Sequence, residues 1–280
     1  MNAIVCYHYI RDNTNFKAFS TTQFREQIEA IQKKYKIVSL NDFLTQRFNV
    51  DTCTLTFDDG IKDGYTNALP ILKEFGIEAT FFIPTSILIT HLLLGAQKRH
   101  LLLSELGTEK FVEEFNSRVD DKIVDKGRMD EYFYDDGLTA ALKNRLDTGG
   151  EEVMEEIFKK HFNEEEEFNK MYLNAEDIRS MKAWGQKFGS HSHNHVWLGR
   201  LSGEEVRKEL ETSMETVKDF FPEQLPVVSY PFGSYNKNVM KIAKKVGFKA
   251  GMSINKHLNN GSNPMVLGRF DCVQPMEEWK

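Results

Sequence analysis

Cysteine is scarce in this sequence. Cys6, Cys53 and Cys272 stand alone among 280 residues, and no two share a CxxC spacing. That argues against a disulfide framework: lone cysteines in apolar contexts read as buried free thiols in a reducing compartment. A basic surplus is also missing. The 36 Lys and Arg face 42 Asp and Glu, for a net charge of -6 and a pI near 5.8. With no global basic footprint, no nucleic-acid partner is expected. Long apolar runs are absent too. The longest, "SILITHLLLG", is too short and too polar to span a bilayer, so no transmembrane segment is expected. The opening "MNAIVCYHYI" has neither a basic n-region nor a long apolar h-region. With no secretory signal in view, a cytoplasmic location is expected, short of a leader trimmed away. Internal repeats and low-complexity tails are lacking.

What is present supports a sizeable core. The chain is 40% apolar and 28% charged, and its length allows one large or two ordinary domains. In the N-terminal half, "AIVCYH", "KIVSL", "CTLTF" and "EATFFIP" read as strands. "STTQFREQIEAIQKKY" and "GYTNALPILKEFG" read as helices. Ser20 and Gln23 are spaced as a capping box. From about 88 to 173 the rhythm gives way to several helices with acidic runs, "EEVMEEIF" and "NEEEEF". Ordinary connections have a median of about 4–6 residues, so this stretch reads as a helical insertion or cap. Alternation then resumes, with helices capped at Asn174 and Ser202 and one ending at Gly247. The strands "KFGSH", "PVVSYP", "FKAGMS" and "PMVLGRF" complete the series. Repeated strand–helix units predict an α/β fold with a parallel sheet, either a barrel or an open doubly wound sheet.

The unusual residues gather at strand ends. His8 ends the first strand, Asp58 and Asp59 end "CTLTF", His191 ends "KFGSH", Tyr230 and Pro231 end "PVVSYP", and Arg269 ends "PMVLGR". The carboxyl ends of parallel strands are where α/β folds build sites. Two adjacent carboxylates there repel each other, and burial adds a desolvation cost. A dication offsets both. Asp59 with His191 and His195 gives one oxygen and two nitrogen ligands, suited to a catalytic zinc and able to hold iron or another divalent metal. Asp58 is then left beside a water as general base. The choice among His191, His193 and His195 stays open, because all three share a face if the stretch is extended. Each residue also has a plainer reading: "DDG" as a turn, "HSHNH" as a solvated loop, His8 as a core histidine, Arg269 as a structural ion pair.

The motifs "TFDDG", "HSHNH" and "YPFGSYN", in that order, resemble those of the polysaccharide deacetylases, the NodB-homology family or carbohydrate esterase family four; "ATFFIP" fits the strand after the first motif. The resemblance covers most of the chain outside 88–173. It implies a distorted, incomplete (β/α) barrel, read as one domain over 1–280 with the helical insertion inside it. It implies Asp58 as base and Asp59, His191 and His195 as ligands of one divalent metal, Zn2+ first, with Co2+, Ni2+ or Fe2+ as alternatives. His193 falls outside that set. The sequence departs from the pattern in three ways. Ser229 stands where the third motif usually has an Arg that steadies the base, and Arg269 is the candidate replacement. No late Leu-x-His motif supplies the acid; only His257 lies that far along. "CYHYI" instead resembles the circularly permuted subgroup, which includes deacetylases of exported poly-N-acetylglucosamine and takes its acid from an N-terminal His, here His8. The insertion has no counterpart in the minimal domain. The backbone N–H of Phe232, just after Pro231, is the expected oxyanion donor.

The implied activity is metal-dependent removal of an N-acetyl group from an amino-sugar carbohydrate, a polymer, an oligomer or a precursor. Two rival readings remain: hydrolysis of another small C–N bond in a formamide, ureide or nucleotide-linked sugar amide, and a sugar-binding relative without turnover.

Overall fold

A single parallel sheet organises the chain. Its strands are β1 (Asn2–Tyr7), β2 (Lys36–Ile37), β3 (Thr52–Phe57), β4 (Thr80–Ile83), β5 (Lys187–Ser190), β6 (Val227–Ser229), β7 (Ala250–Met252) and β8 (Phe270–Asp271). They lie in the order β7-β6-β5-β4-β3-β1-β8, with β2 beside the start of β3, and every pairing is parallel. The computed structural model describes residues 1–12, 18–123, 142, 146 and 149–279. The fold is α/β, a distorted and incomplete (β/α) barrel.

Residues of β1, β3 and β4 are buried almost without interruption, as in parallel sheets covered on both faces. Register aligns Tyr7, Phe57, Phe81 and Phe188 across four strands. Their rings form a ladder with centroid spacings of 5.0, 4.6 and 5.9 Å, extended at 4.8 Å by Phe221. Offset and tilted aromatic pairs of this kind add about 0.5–1.5 kcal/mol each beyond area burial.

The helices begin where local chemistry places them. Ser20, Asn174 and Ser202 each cap a helix, and each closes a capping box with the residue three positions on: Gln23, Asp177 and Glu205. One expected strand is broken up. Within "PMVLGRF", Pro264–Val266 is a 3-10 turn, because Pro264 fixes its φ and the Asn263 side chain accepts from the Met265 N–H at 3.0 Å. Leu267 is extended but forms only an isolated bridge to Met252, and the strand proper is Phe270–Asp271, so Arg269 stands just before β8 rather than at the end of a strand.

The chain divides into two compact units. One comprises Met1–Asp12, Ala18–His91 and Met171–Lys280 and holds the sheet; the other contains Leu92–Lys170. Within the span 88–173, expected as helical, Gly95–Asn116, Glu151–His161 and Glu164–Met171 are helices. Residues 124–141, 143–145 and 147–148 of that span lie outside the described residues. Among the described residues, no helix is long and apolar enough to cross a membrane.

Close approach makes one glycine indispensable. A Cβ on Gly251 in β7 would sit 2.5 Å from the Met265 carbonyl oxygen and against the Tyr230 ring and hydroxyl. That hydroxyl donates to the same carbonyl at 3.0 Å. The backbone has to move to admit a methyl group. Gly251→Ala is therefore expected to cost about 1–3 kcal/mol, read as a lower denaturant midpoint with an unchanged slope.

Candidate active site

The sharp end of β3 builds the first half of the site. Phe57 is the last extended residue, and Asp59 and Gly60 then take positive φ values of 70° and 66°. The chain turns at once, which leaves both carboxylates at the carboxyl end of the strand. Asp58 and Asp59 are 3% and 6% exposed. Burial at this depth requires partners, and the two acids have different ones.

Asp58 is held by a cation. Arg269, itself 3% exposed, donates through its two terminal nitrogens to Asp58 Oδ1 at 2.8 Å and Oδ2 at 2.7 Å. Ser229 at the end of β6 donates its hydroxyl to Asp58 Oδ2 at 3.0 Å and accepts from Arg269 at 2.8 Å. Arg269 Nε is anchored on the Ser253 carbonyl at 3.1 Å. Burial pushes the Asp58 carboxyl upward. The Arg269 charge, His191 and the Arg269 hydrogen bonds outweigh it and hold the group well below the usual carboxylate range. Asp58 is thus ionised at neutral pH.

Asp59 faces two imidazoles. Its Oδ1 lies 3.3 Å from His191 Nε2 and 3.2 Å from His195 Nε2, and both histidines are buried. One ligand atom from each of the three residues falls within a 4.8 Å span. His191 Nδ1 sits 2.8 Å from the Ser229 carbonyl. A carbonyl only accepts, so Nδ1 carries a proton. Burial disfavours a charged His191 ring, but the Asp58 and Asp59 carboxylates outweigh it and raise its pKa, so positive charge is favoured at the Nε2 side. Burial holds His195 below the ordinary imidazole value, which favours its neutral form with a lone pair free. A buried carboxylate between two imidazole nitrogens favours a cation among them. A ring whose other nitrogen is tied to a carbonyl is also the usual posture of a metal-ligating histidine. The donor set therefore fits a divalent metal.

Backbone conformation brings His191 and His195, and not His193, to Asp59. Ser192 and His195 have φ of 58° and 55°, so strand alternation stops after His191. His195 N–H is tied to Ser192 Oγ at 3.0 Å. His193 turns away: its Nδ1 lies 2.9 Å from Thr85 Oγ1, and its N–H meets Glu209.

His8, half-buried just past β1, brings a ring nitrogen into a second group with Cys6 Sγ and an Asp58 oxygen, again within 4.8 Å. Burial pushes the Cys6 thiol well up, so it stays protonated. Phe232 follows Pro231 with φ 56°. Its ring lies edge-on to His195 at 4.6 Å and stacks on Trp197 at 4.5 Å. Asp59, Ser192, His195 and Phe232 are four of the five non-glycine residues with positive φ among those described. Strain of this kind collects at functional sites. Two contributors were missed in the sequence. In the sequence Ser229 stands out only where an arginine is missing, although its place at a strand end beside "YP" is a usable signal. Trp197 carried no such signal.

Residues 45–120 and 133–251 match the model of the family described as polysaccharide deacetylase. The chain belongs to the polysaccharide deacetylase family. A Bacillus subtilis (strain 168) protein, YxkH, named as a polysaccharide deacetylase, is 22% identical over 204 residues, 72% of this chain and 45% of that protein. The chain thus spans under half the length of the curated relative it matches. Among solved structures, IcaB from Ammonifex degensii superposes with a TM-score of 0.63 at 16% identity, covering 99% of this chain and 93% of that one. The Streptococcus pyogenes deacetylase PplD, in complex with acetate, gives 0.61 at 18% identity, covering 96% and 91%. These two likenesses are likenesses of fold.

Proposed function

We propose that this chain is a metal-dependent hydrolase that removes an N-acetyl group from an amino-sugar carbohydrate. The observation that carries the reading is the division of labour between adjacent acids. Asp59 is aimed at two imidazole nitrogens, while Asp58 is clamped by Arg269 within the same buried turn. Family membership supports the substrate class. Asp59, His191 and His195 would hold the metal, zinc first among zinc, cobalt, nickel and iron. Such an ion polarises a carbonyl and makes water acidic.

This chain's own residues do the rest. Asp58 takes the proton of the attacking water. Arg269 and Ser229 fix that carboxylate in position, Arg269 standing in for the family arginine absent at 229. The Phe232 N–H donates to the developing oxyanion. His8 protonates the leaving nitrogen, and acetate and a free amino sugar depart. On this reading 1–280 is one barrel domain with a helical insertion at 88–173.

The test starts with elemental analysis of protein purified without chelator. About one divalent metal per chain is expected in the wild type, and less than about a tenth of that in His195→Ala. A panel of N-acetylated sugar oligomers against formamides and ureides follows. Metal with sugar deacetylation upholds the reading. Metal with turnover only on small amides replaces the substrate class, and no metal uptake overturns the site.

A further inference from the structure

Charge is unevenly distributed along this acidic chain. Between Glu223 and Asp271 there is no Asp or Glu, while Lys237, Lys241, Lys244, Lys245, Lys249 and Lys256 are all exposed. This stretch includes Phe232 at the candidate site and the helix Lys237–Val246, which starts five residues later. That helix is strongly two-sided. Val239, Ile242 and Ala243 are buried, while Lys237, Lys241, Lys244 and Lys245 recur on the opposite face. None of these four lysines makes an ion pair among the described residues.

The cationic face continues to the site rim. Arg200 lies over the Trp197 ring at 4.2 Å, and Trp197 stacks on Phe232, which touches His195. The Arg200 loop is tied to the start of the lysine helix. Gly199 N–H donates to Ser234 Oγ at 3.0 Å, and Asn236 Nδ2 donates to the Gly199 carbonyl at 3.2 Å. Beyond it, a groove of about 360 Å³ runs between the helices Gly203–Phe220 and Lys237–Val246. Its charged lining is Arg207, Lys241 and Lys245 against Glu204 alone. Arg207 also pairs with Glu211 at 3.2 Å.

We propose that this track, from Arg200 to Lys245, is a docking surface for a polyanionic glycan, a substrate that carries acidic groups beyond the unit being deacetylated. The proposal rests on the deacetylase reading of the adjoining site. Lysines are compact charges on flexible stems, suited to a repeating negative charge rather than to one fixed ligand. A membrane fits less well. Surfaces that enter the headgroup layer mix large apolar side chains with cations. Exposed Phe220 ends the helix Gly203–Phe220 and exposed Ile254 lies in the acid-free stretch, but among the described residues no exposed large apolar side chain lies on the lysine helix Lys237–Val246 or lines the groove. The track also begins at the candidate site, where a polymer held for hydrolysis must pass.

Calorimetry with a hyaluronan decasaccharide, which alternates N-acetylglucosamine with a uronic acid, tests this without requiring turnover. The wild type is expected to bind it more tightly than an uncharged N-acetylglucosamine oligomer of equal length, and to lose that advantage as salt rises. Lys237→Glu/Lys241→Glu/Lys245→Glu is expected to weaken binding about tenfold or more. If that protein melts early, the corresponding Gln variant takes its place. Equal binding of charged and uncharged oligomers, or undiminished binding by the variant, overturns the proposal. So does salt-sensitive binding to phosphatidylglycerol vesicles or single-stranded DNA when the glycan is ignored. Deacetylation of neutral oligomers without polyanion binding would remove this inference alone. Polyanion binding lost in the variant, on a protein that deacetylates nothing, would remove the enzymatic reading alone.

Discussion

Asp58→Asn is expected to lower turnover on an N-acetylated sugar by about 10²–10⁴ while metal content stays at the wild-type level. The amide preserves shape but offers no basic oxygen pair to take a proton from water. The proposed metal set of Asp59, His191 and His195 does not include it. The substitution also leaves Arg269, at 3% exposure, without its counter-charge, so a lower melting temperature accompanies the loss. Elemental analysis beside steady-state kinetics separates the two effects. Turnover near the wild-type rate would remove Asp58 as base, and lost metal would move it into the ligand set.

Arg269→Met is expected to be nearly as damaging, for a different reason. The guanidinium meets Asp58 at 2.7 and 2.8 Å inside the protein, and removing one member of a buried pair costs about 3–5 kcal/mol. For a chain of this size that lowers the melting temperature by on the order of 10 °C. The kinetic sign follows from the same contact. Arg269 holds the Asp58 carboxyl low, so removing it raises that pKa, and the carboxylate protonates at higher pH. The acid limb of kcat/KM therefore moves to higher pH. Asp58→Asn/Arg269→Met, which leaves neither charge, is expected to melt above Arg269→Met alone. If the double variant melts lower still, the arginine acts through packing rather than charge.

How far the sequence revealed this arrangement depends on the range of the interaction. The capping box at Ser20 and the caps at Asn174 and Ser202 were legible because each forms within four residues. The parallel sheet was legible because strand and helix periodicities alternate. The site's gathering at strand ends followed from that rhythm, apart from Arg269. There, a proline and an asparagine cap turned an apolar run into a 3-10 turn, a local choice that β-propensity hides. The choice between His193 and His195 was unreadable from spacing, because positive φ at Ser192 and His195 breaks the alternation on which spacing arguments rest. The Trp197–Phe232 stack brings together two loops 35 positions apart, and no pattern within either loop announces the other.

The clamp on Asp58 also has a place in the life history of the chain. Its two members are 211 positions apart. On a ribosome, β3 and its carboxylate emerge long before the guanidinium is made. Until then Asp58 must stay hydrated, so the turn after β3 cannot close in its final form over a nascent chain. Contacts of such sequence separation are slow to form because the intervening loop must first be ordered. The charge pair that fixes the proposed base cannot form until residue 269 has been made, and a chain stalled before that point would retain an open, wet pocket at this position.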